Sequence, residues 1–459
     1  MNTGKRRKRT AGIIWLVTVN LIVAGLLLEF AGIAYFYYTN HQLFYFRQQG
    51  AGQTADLQFH TVHTAKKPLT TKLVLHPYLG YIYRPGLPLS VIAGRQRLKK
   101  LLGGYKHKQL PGWTTFRANR FGFYSDVDYP YDKQKNEYVI AVFGGSVAHW
   151  FALQGSSMLI SELIKSNYFK EREITVLNFA QGGFKQPQQL LALAYFLSLG
   201  QKFDFILNID GFNELVLSQL NTESSIDPSL PSGQHLLSVY RMLSSDFTDS
   251  ELISAAYLLS KANEALTEIH YWQEHNISAG VYLLLKLLEA KHIKELSAAR
   301  TRLDDLKKGD WPHDLISVMP WQPPKNDENI YRPILQNWFN SSLAMQYLCS
   351  SMQIPYLEVV QPNQYYSRKK FSELEASLAL NKASPYRIAA AKGYKVLDSK
   401  LPDAVASGLN IVSAIDIFNK TSEIVFSDDC CHYNQRGNDI LAEFIADKIV
   451  RYLRNKSRQ

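Results

Sequence analysis

Four short stretches of the chain hold residues able to perform acyl-transfer chemistry. In Gly144-Gly145-Ser146-Val147 a hydroxyl follows two residues without side chains. A tight strand-to-helix turn there presents the hydroxyl and its backbone N–H at a helix N-terminus, a ready site for developing negative charge. Asn178-Phe179-Ala180-Gln181-Gly182-Gly183 and Asp210-Gly211-Phe212-Asn213-Glu214 supply glycines that let a backbone N–H approach a carbonyl, and a side-chain amide as a further donor. Such donors stabilise the oxyanion of a tetrahedral intermediate. Ser427-Asp428-Asp429-Cys430-Cys431-His432-Tyr433-Asn434 places Asp429 three residues before His432. A carboxylate so placed receives the imidazole Nδ1–H, fixes the tautomer and leaves Nε2 to accept a serine proton. Each stretch alone also reads as an ordinary turn.

The surrounding elements decide whether these residues meet. Tyr138–Phe143 is an unbroken apolar run, which predicts a strand buried on both faces, as in a parallel sheet. Ile174–Asn178, Phe203–Ile209 and Pro355–Val360 read as three more strands, separated by helical stretches. That alternation predicts βαβ units and an open α/β sheet flanked by helices. In such a sheet the ligand site lies at the carboxyl ends of the strands, where three of the four stretches fall. The fourth precedes a last helix marked by Ile440, Leu441, Phe444, Ile445 and Ile449. Between the third and fourth strands, residues 215–350 read as a helical insertion, most simply a lid or cap beside the sheet. Thr248 and Glu251 match a capping box at one helix start.

In this order and placement the four stretches resemble the blocks of the SGNH, or GDSL-like, hydrolase family. The likeness covers roughly residues 120–218 and 330–455 and leaves the insertion outside. It implies a three-layer, flavodoxin-like fold with Ser146 as nucleophile, His432 as base and Asp429 as its partner. The oxyanion hole would comprise the Ser146 N–H, the Gly183 N–H and the Asn213 amide, with no cofactor and no metal. Gly145 stands where the family's first block has aspartate, a change that removes no catalytic group. Asp428 precedes Asp429, so the choice between the two carboxylates rests on the family's spacing. Asn119-Arg120-Phe121-Gly122-Phe123 also resembles the lead-in of some bacterial members, with Tyr124 in place of their arginine. His149 is a rival base, but on a helix leaving the nucleophile turn its ring is expected to point away from the hydroxyl. No H-x-x-x-H pair occurs among the twelve histidines, which argues against a metal set.

Composition sets the compartment. Of the net charge of +11, five units come from Lys5 to Arg9, and the remainder is unremarkable for this length. No zinc spacing, RNA-binding signature or helix-turn-helix pattern points to nucleic acid. The basic run leads into Ala11–Tyr38, an apolar stretch longer than the ~20 residues that cross a bilayer. It also exceeds the usual apolar core of a cleaved signal peptide. The expected organisation is a cytoplasmic tail (1–10), a signal anchor (11–38), a turn-rich lead-in (39–135) and the hydrolase domain (136–459). Basic residues before the anchor predict a cytoplasmic N-terminus and an extracytoplasmic, or in a Gram-negative cell periplasmic, catalytic domain. Tyr35–Tyr38 would form the aromatic belt at the far interface, while Glu29 would lie near the headgroups or pair with a partner helix. The basic cluster Arg95, Arg97, Lys99, Lys100, Lys106 and Lys108 reads as a solvated loop or a contact for anionic lipid or glycan. Cys349, Cys430 and Cys431 allow either one disulfide involving Cys349 or buried free thiols.

These features predict an esterase that removes acyl, particularly acetyl, groups from a cell-envelope or extracellular substrate such as an acylated glycan or lipid. An O-acyltransferase acting on a surface polysaccharide would use the same triad. A non-catalytic envelope scaffold or glycan-binding protein is the alternative from another class.

Overall fold

The computed structural model describes residues 3–46, 72–93, 116–240, 250–306, 317–320 and 330–456. Thr248 and the basic cluster between Arg95 and Lys108 lie outside these residues. The chain divides into two compact units, one made of residues 1–70 with 244–311, the other of 71–243 with 312–459.

The larger unit is an α/β structure built on five parallel strands. These are β3 (Glu137–Gly144), β4 (Glu173–Asn178), β5 (Phe205–Asp210), β6 (Tyr356–Val360) and β7 (Ile411–Ser413), in the spatial order β4-β3-β5-β6-β7. Every residue of β3, β5 and β6 is buried, which explains why their sequences are largely apolar without alternation, Asn208, Asp210 and Glu358 being buried with the rest. The pairing registers set Val142 opposite Asn178 and opposite Leu207, so the ends of β4, β3 and β5 lie side by side. From β3 the chain crosses to β4 on one side and then to β5 on the other. The loops after β3, β4 and β5 therefore diverge around a topological switch point, where open α/β sheets place their ligands. The edge strand β7, only three residues long, had no distinct apolar run to mark it. A separate antiparallel pair, β1 (Leu73–His76) and β2 (Gly80–Tyr83), turns through Pro77-Tyr78-Leu79.

Packing splits the expected insertion. The helices Ser218–Glu223, Gly233–Tyr240 and Tyr331–Ser351 belong to the sheet-bearing unit. Trp338 and Met345 of the last are fully buried. The helices Ser250–His275 and Ala279–Leu306 instead share a unit with the N-terminal helix Thr3–Asn40; they pack against each other, and Ala279–Leu306 packs against the N-terminal helix. The two form a hairpin, joined to the N-terminal helix through Ala279–Leu306. Within Thr3–Asn40 the segment Trp15–Asn40 is long and apolar enough to cross a membrane, and almost none of it is buried within the chain. All three cysteines are free, and Cys349 lies buried on Tyr331–Ser351.

Candidate active site

β3 ends in Gly144, and the helix Ser146–Gln154 begins at once, so the turn consists of little more than Gly145. A Cβ on Gly145 would stand 2.0 Å from Asn213 Nδ2 and 3.0 Å from the Phe184 carbonyl oxygen, which leaves room only for glycine. The same close approach brings the Asn213 amide against the nucleophile turn. Its Nδ2 donates one hydrogen bond to the Phe184 oxygen at 2.7 Å, and the amide carries a second N–H. Gly183, beside Phe184, has φ +78°, and a Cβ there would meet His235 Cε1 at 2.5 Å and Tyr81 Oη at 2.6 Å. The turns after β3, β4 and β5 thus interlock through Gly145, Phe184 and Asn213.

Glu214, next to Asn213, fixes two of these turns. One carboxylate oxygen accepts from the Gln186 N–H (3.2 Å) and Gln189 Nε2 (3.0 Å), the other from the Gly211 N–H (2.7 Å). Burial raises the Glu214 carboxyl above the usual range, and burial also raises Asp210. Nothing in the sequence distinguishes Glu214 from a surface glutamate except its place beside Asn213. If the Asn213 amide serves as an oxyanion donor to an ester substrate, its replacement by alanine lowers turnover by about 10²–10³-fold, the usual cost of losing one such donor. Unchanged turnover in a steady-state assay of that variant would remove Asn213 from the site.

His432 arrives from the other end of the chain. The backbone reverses tightly there, closed by the Ser427 N–H donating to the His432 oxygen at 2.9 Å and by an antiparallel bridge between Phe426 and Tyr433. Inside this loop lies Asp428. Its Oδ1 accepts from the N–H groups of Cys430 (3.0 Å), Cys431 (3.1 Å) and His432 (3.2 Å), and its Oδ2 meets His432 Nδ1 at 2.6 Å. His432 Nε2 lies 2.7 Å from Ser146 Oγ. Ser146, His432 and a carboxylate are therefore in line, but the carboxylate is Asp428. Asp429, expected in this role, points elsewhere. Its Oδ2 accepts from Asn381 Nδ2 at 2.8 Å, and its carbonyl from the Tyr365 hydroxyl (2.6 Å) and Ser384 Oγ (3.1 Å). With two cysteines between the second acid and the histidine, a loop turned inward brings the fourth residue before His432 to Nδ1.

Two fixtures hold this loop. Upstream, Glu375 Oε1 accepts from the N–H groups of Val425 (2.8 Å) and Phe426 (3.1 Å). Its Oε2 is paired with Lys369 Nζ at 2.7 Å, both side chains being inaccessible to solvent. Downstream, the helix Gln435–Lys456 is tied to the helix Ser146–Gln154. Gln435 Nε2 donates to the Gln154 carbonyl at 2.8 Å and Asn438 Nδ2 to Gln154 Oε1 at 2.7 Å. Together these set the distance between the hydroxyl and the imidazole.

His149 takes no part in this line. Its ring is buried among Tyr83, Tyr124 and Trp150, and its Nδ1 lies 3.3 Å from Asn178 Nδ2. Burial pushes it down to about 3, which keeps it neutral. The Cys430 and Cys431 sulfurs, 3.1 Å apart, sit beside His432, with Cys431 Sγ at 3.9 Å from Nε2. These three residues are the group of closely placed soft donors among the described residues.

Lys185, two residues after Gly183, is fully buried and donates to the Pro228 carbonyl. Burial holds it down to about 7, against 10.5 for an ordinary lysine, although Glu214 and Asp227 oppose the fall. The unfolded chain binds the additional proton between those values, so stability is expected to rise as pH climbs from about 7 towards 10. Thermal melts across that range should rise more steeply for the natural chain than for Lys185→Met. Parallel curves would contradict this.

No family model matches the sequence, and comparison with curated proteins finds no match.

Proposed function

We propose that this protein is a serine ester hydrolase of the SGNH type, anchored by its N-terminal helix. The observation that carries the reading is the continuous line from Asp428 Oδ2 through the two nitrogens of His432 to Ser146 Oγ, with steps of 2.6 and 2.7 Å. The five-stranded parallel sheet, with the nucleophile turn at its switch point, supports the family assignment.

In the proposed reaction Ser146 Oγ attacks an acyl carbonyl while His432 Nε2 takes its proton, and Asp428 stabilises the imidazolium that forms. The Ser146 N–H, the Gly183 N–H and the Asn213 amide receive the oxyanion. Collapse expels the alcohol, protonated by His432, and leaves an acyl-serine. Water, deprotonated by the same imidazole, then releases the acid and restores Ser146. No step calls on a metal or organic cofactor. Ser146 is only partly buried, so a substituent on a large molecule can reach it.

An anchored enzyme with an accessible serine suits acetyl esters carried on envelope glycans or lipids. The basic residues Lys5–Arg9 favour a cytoplasmic N-terminus and an extracytoplasmic site. The full chain in detergent or nanodiscs should release acetate from an aryl acetate and from an acetylated glycan. Acetyl appearing on a glycan acceptor faster than free acetate would assign it as the O-acyltransferase instead. No reaction with either ester, together with retained binding of an envelope fraction, would leave the scaffold reading.

A further inference from the structure

The N-terminal helix carries an acid in its apolar stretch, and the structure shows what Glu29 does. The helix Ala279–Leu306 begins beside it. Glu29 Oε1 accepts from the Ala279 N–H at 2.7 Å and Oε2 from the Gly280 N–H at 3.0 Å and Ser278 Oγ at 2.6 Å, with the Tyr45 hydroxyl also donating to Oε1. The Ser278 N–H donates to Asn276 Oδ1 at 3.2 Å and the Val281 N–H to Ser278 Oγ at 3.1 Å. The first N–H groups of a helix have no partner within the helix and are satisfied by capping side chains or by water. Here residues 278–281 all have protein acceptors, the condition that a helix end must meet in lipid.

Depth follows from the packing. A Cβ on Gly32 would lie 2.1 Å from the Ala279 oxygen, and the Phe36 and Tyr282 rings are 5.1 Å apart. Ala279 thus sits level with Gly32 and Tyr282 with Phe36, so the two helices run in the same direction. The turn between Ser250–His275 and Ala279–Leu306 therefore points back along the N-terminal helix, towards its middle. Gly32 and Glu29 precede the aromatic residues Tyr35–Tyr38 by three and six positions, roughly 5–9 Å of helix. Interfacial helices bury their apolar faces to about 5–10 Å.

The exposed side chains of the turn fit that depth. Ile277 in the turn is 81% exposed, and Val281 (43%), Leu284 (45%) and Leu288 (45%) follow at the i, i+3, i+7 spacing of a single helix face. Leu287 and Trp272 flank this stripe, 62% and 55% exposed. Further up, one carboxylate gathers polar side chains from both helices. His270, Gln273 and Lys286 all converge on the Glu289 carboxylate, at 3.0, 2.8 and 2.6 Å.

We infer that the hairpin is a second membrane foot, its turn and the adjoining first turn of Ala279–Leu306, from Ile277 to Val281, entering the lipid leaflet reached by the aromatic end of the anchor. Glu29 is then a latch between anchor and foot. The inference rests on the anchor's crossing the bilayer and is independent of the hydrolase chemistry.

The test uses the full chain in phosphatidylcholine nanodiscs and a membrane-impermeant maleimide, reading labelling above that of the unsubstituted chain. Ile277→Cys should label at least tenfold more slowly than Lys294→Cys, and should label fully in SDS. Leu21→Cys reports on the anchor itself. Protection at Leu21 with rapid labelling at Ile277 would overturn the foot and leave the anchor standing, whereas rapid labelling at both would remove the premise of a membrane span and the foot with it. Hydroxyl-radical footprinting needs no substitution. Trp272 should oxidise more slowly than Tyr257 on the same helix, although the two are 55% and 60% exposed and indole is the more reactive ring. Oxidation of Trp272 at or above the rate of Tyr257 would contradict the proposal.

Discussion

Ser146→Ala should lower the rate of aryl acetate hydrolysis by about 10⁴–10⁶-fold, the loss seen when a triad nucleophile is removed. The magnitude follows from what remains. Without Oγ the oxyanion donors can still bind a carbonyl and His432 can still activate water, but no acyl-enzyme forms. The structural cost should be small, because Ser146 is only partly buried and its hydroxyl contacts His432 Nε2 at 2.7 Å. Thermal unfolding should thus match the natural chain to within about 1 kcal/mol, as for most substitutions outside the core. A variant that keeps its rate would move the nucleophile elsewhere.

Asp428→Asn should cost about 10³–10⁴-fold in turnover, whereas Asp429→Asn should cost less than tenfold. An asparagine at 428 keeps the shape of the loop but loses the negative charge facing Nδ1, and its amide can stabilise the wrong imidazole tautomer. Asp428 also collects three backbone N–H groups through Oδ1. Its replacement should therefore loosen the loop and lower stability, while a tautomer error appears in kcat in excess of that loss. Asp429 faces Asn381, outside the line from His432 to Ser146. The opposite ranking of the two variants would restore the family's three-residue spacing and show that the loop rearranges in solution.

The sequence was most legible where burial is continuous. β3, β5 and β6 are covered along their whole length and β4 in part, and the four chemical stretches could be placed at strand ends and before the last helix from their largely apolar runs. β7 was not visible, since three residues between a helix and a loop hold no period. The choice between Asp428 and Asp429 was beyond reach for a different reason. Spacing along the chain does not reveal which way a five-residue loop turns, and here three N–H bonds to one carboxylate decide it. Glu214 was hidden in the same way, its role depending on Gln186, Gln189 and Gly211, which only the fold brings together. The insertion was legible as helices and not as a location. Amphipathic periodicity shows that a helix has an apolar face, but what covers that face is a matter of packing, and for Ser250–Leu306 it is in part the N-terminal helix.

The central claim is that Ser146 is a nucleophile activated by His432. It is tested most directly by treating the full chain with a fluorophosphonate and mapping the adduct by peptide mass spectrometry. One adduct should form, on Ser146, and its rate should fall at least a hundredfold in His432→Ala while the fold persists. An adduct on another residue, or equal labelling of the natural and His432→Ala chains, would contradict the account.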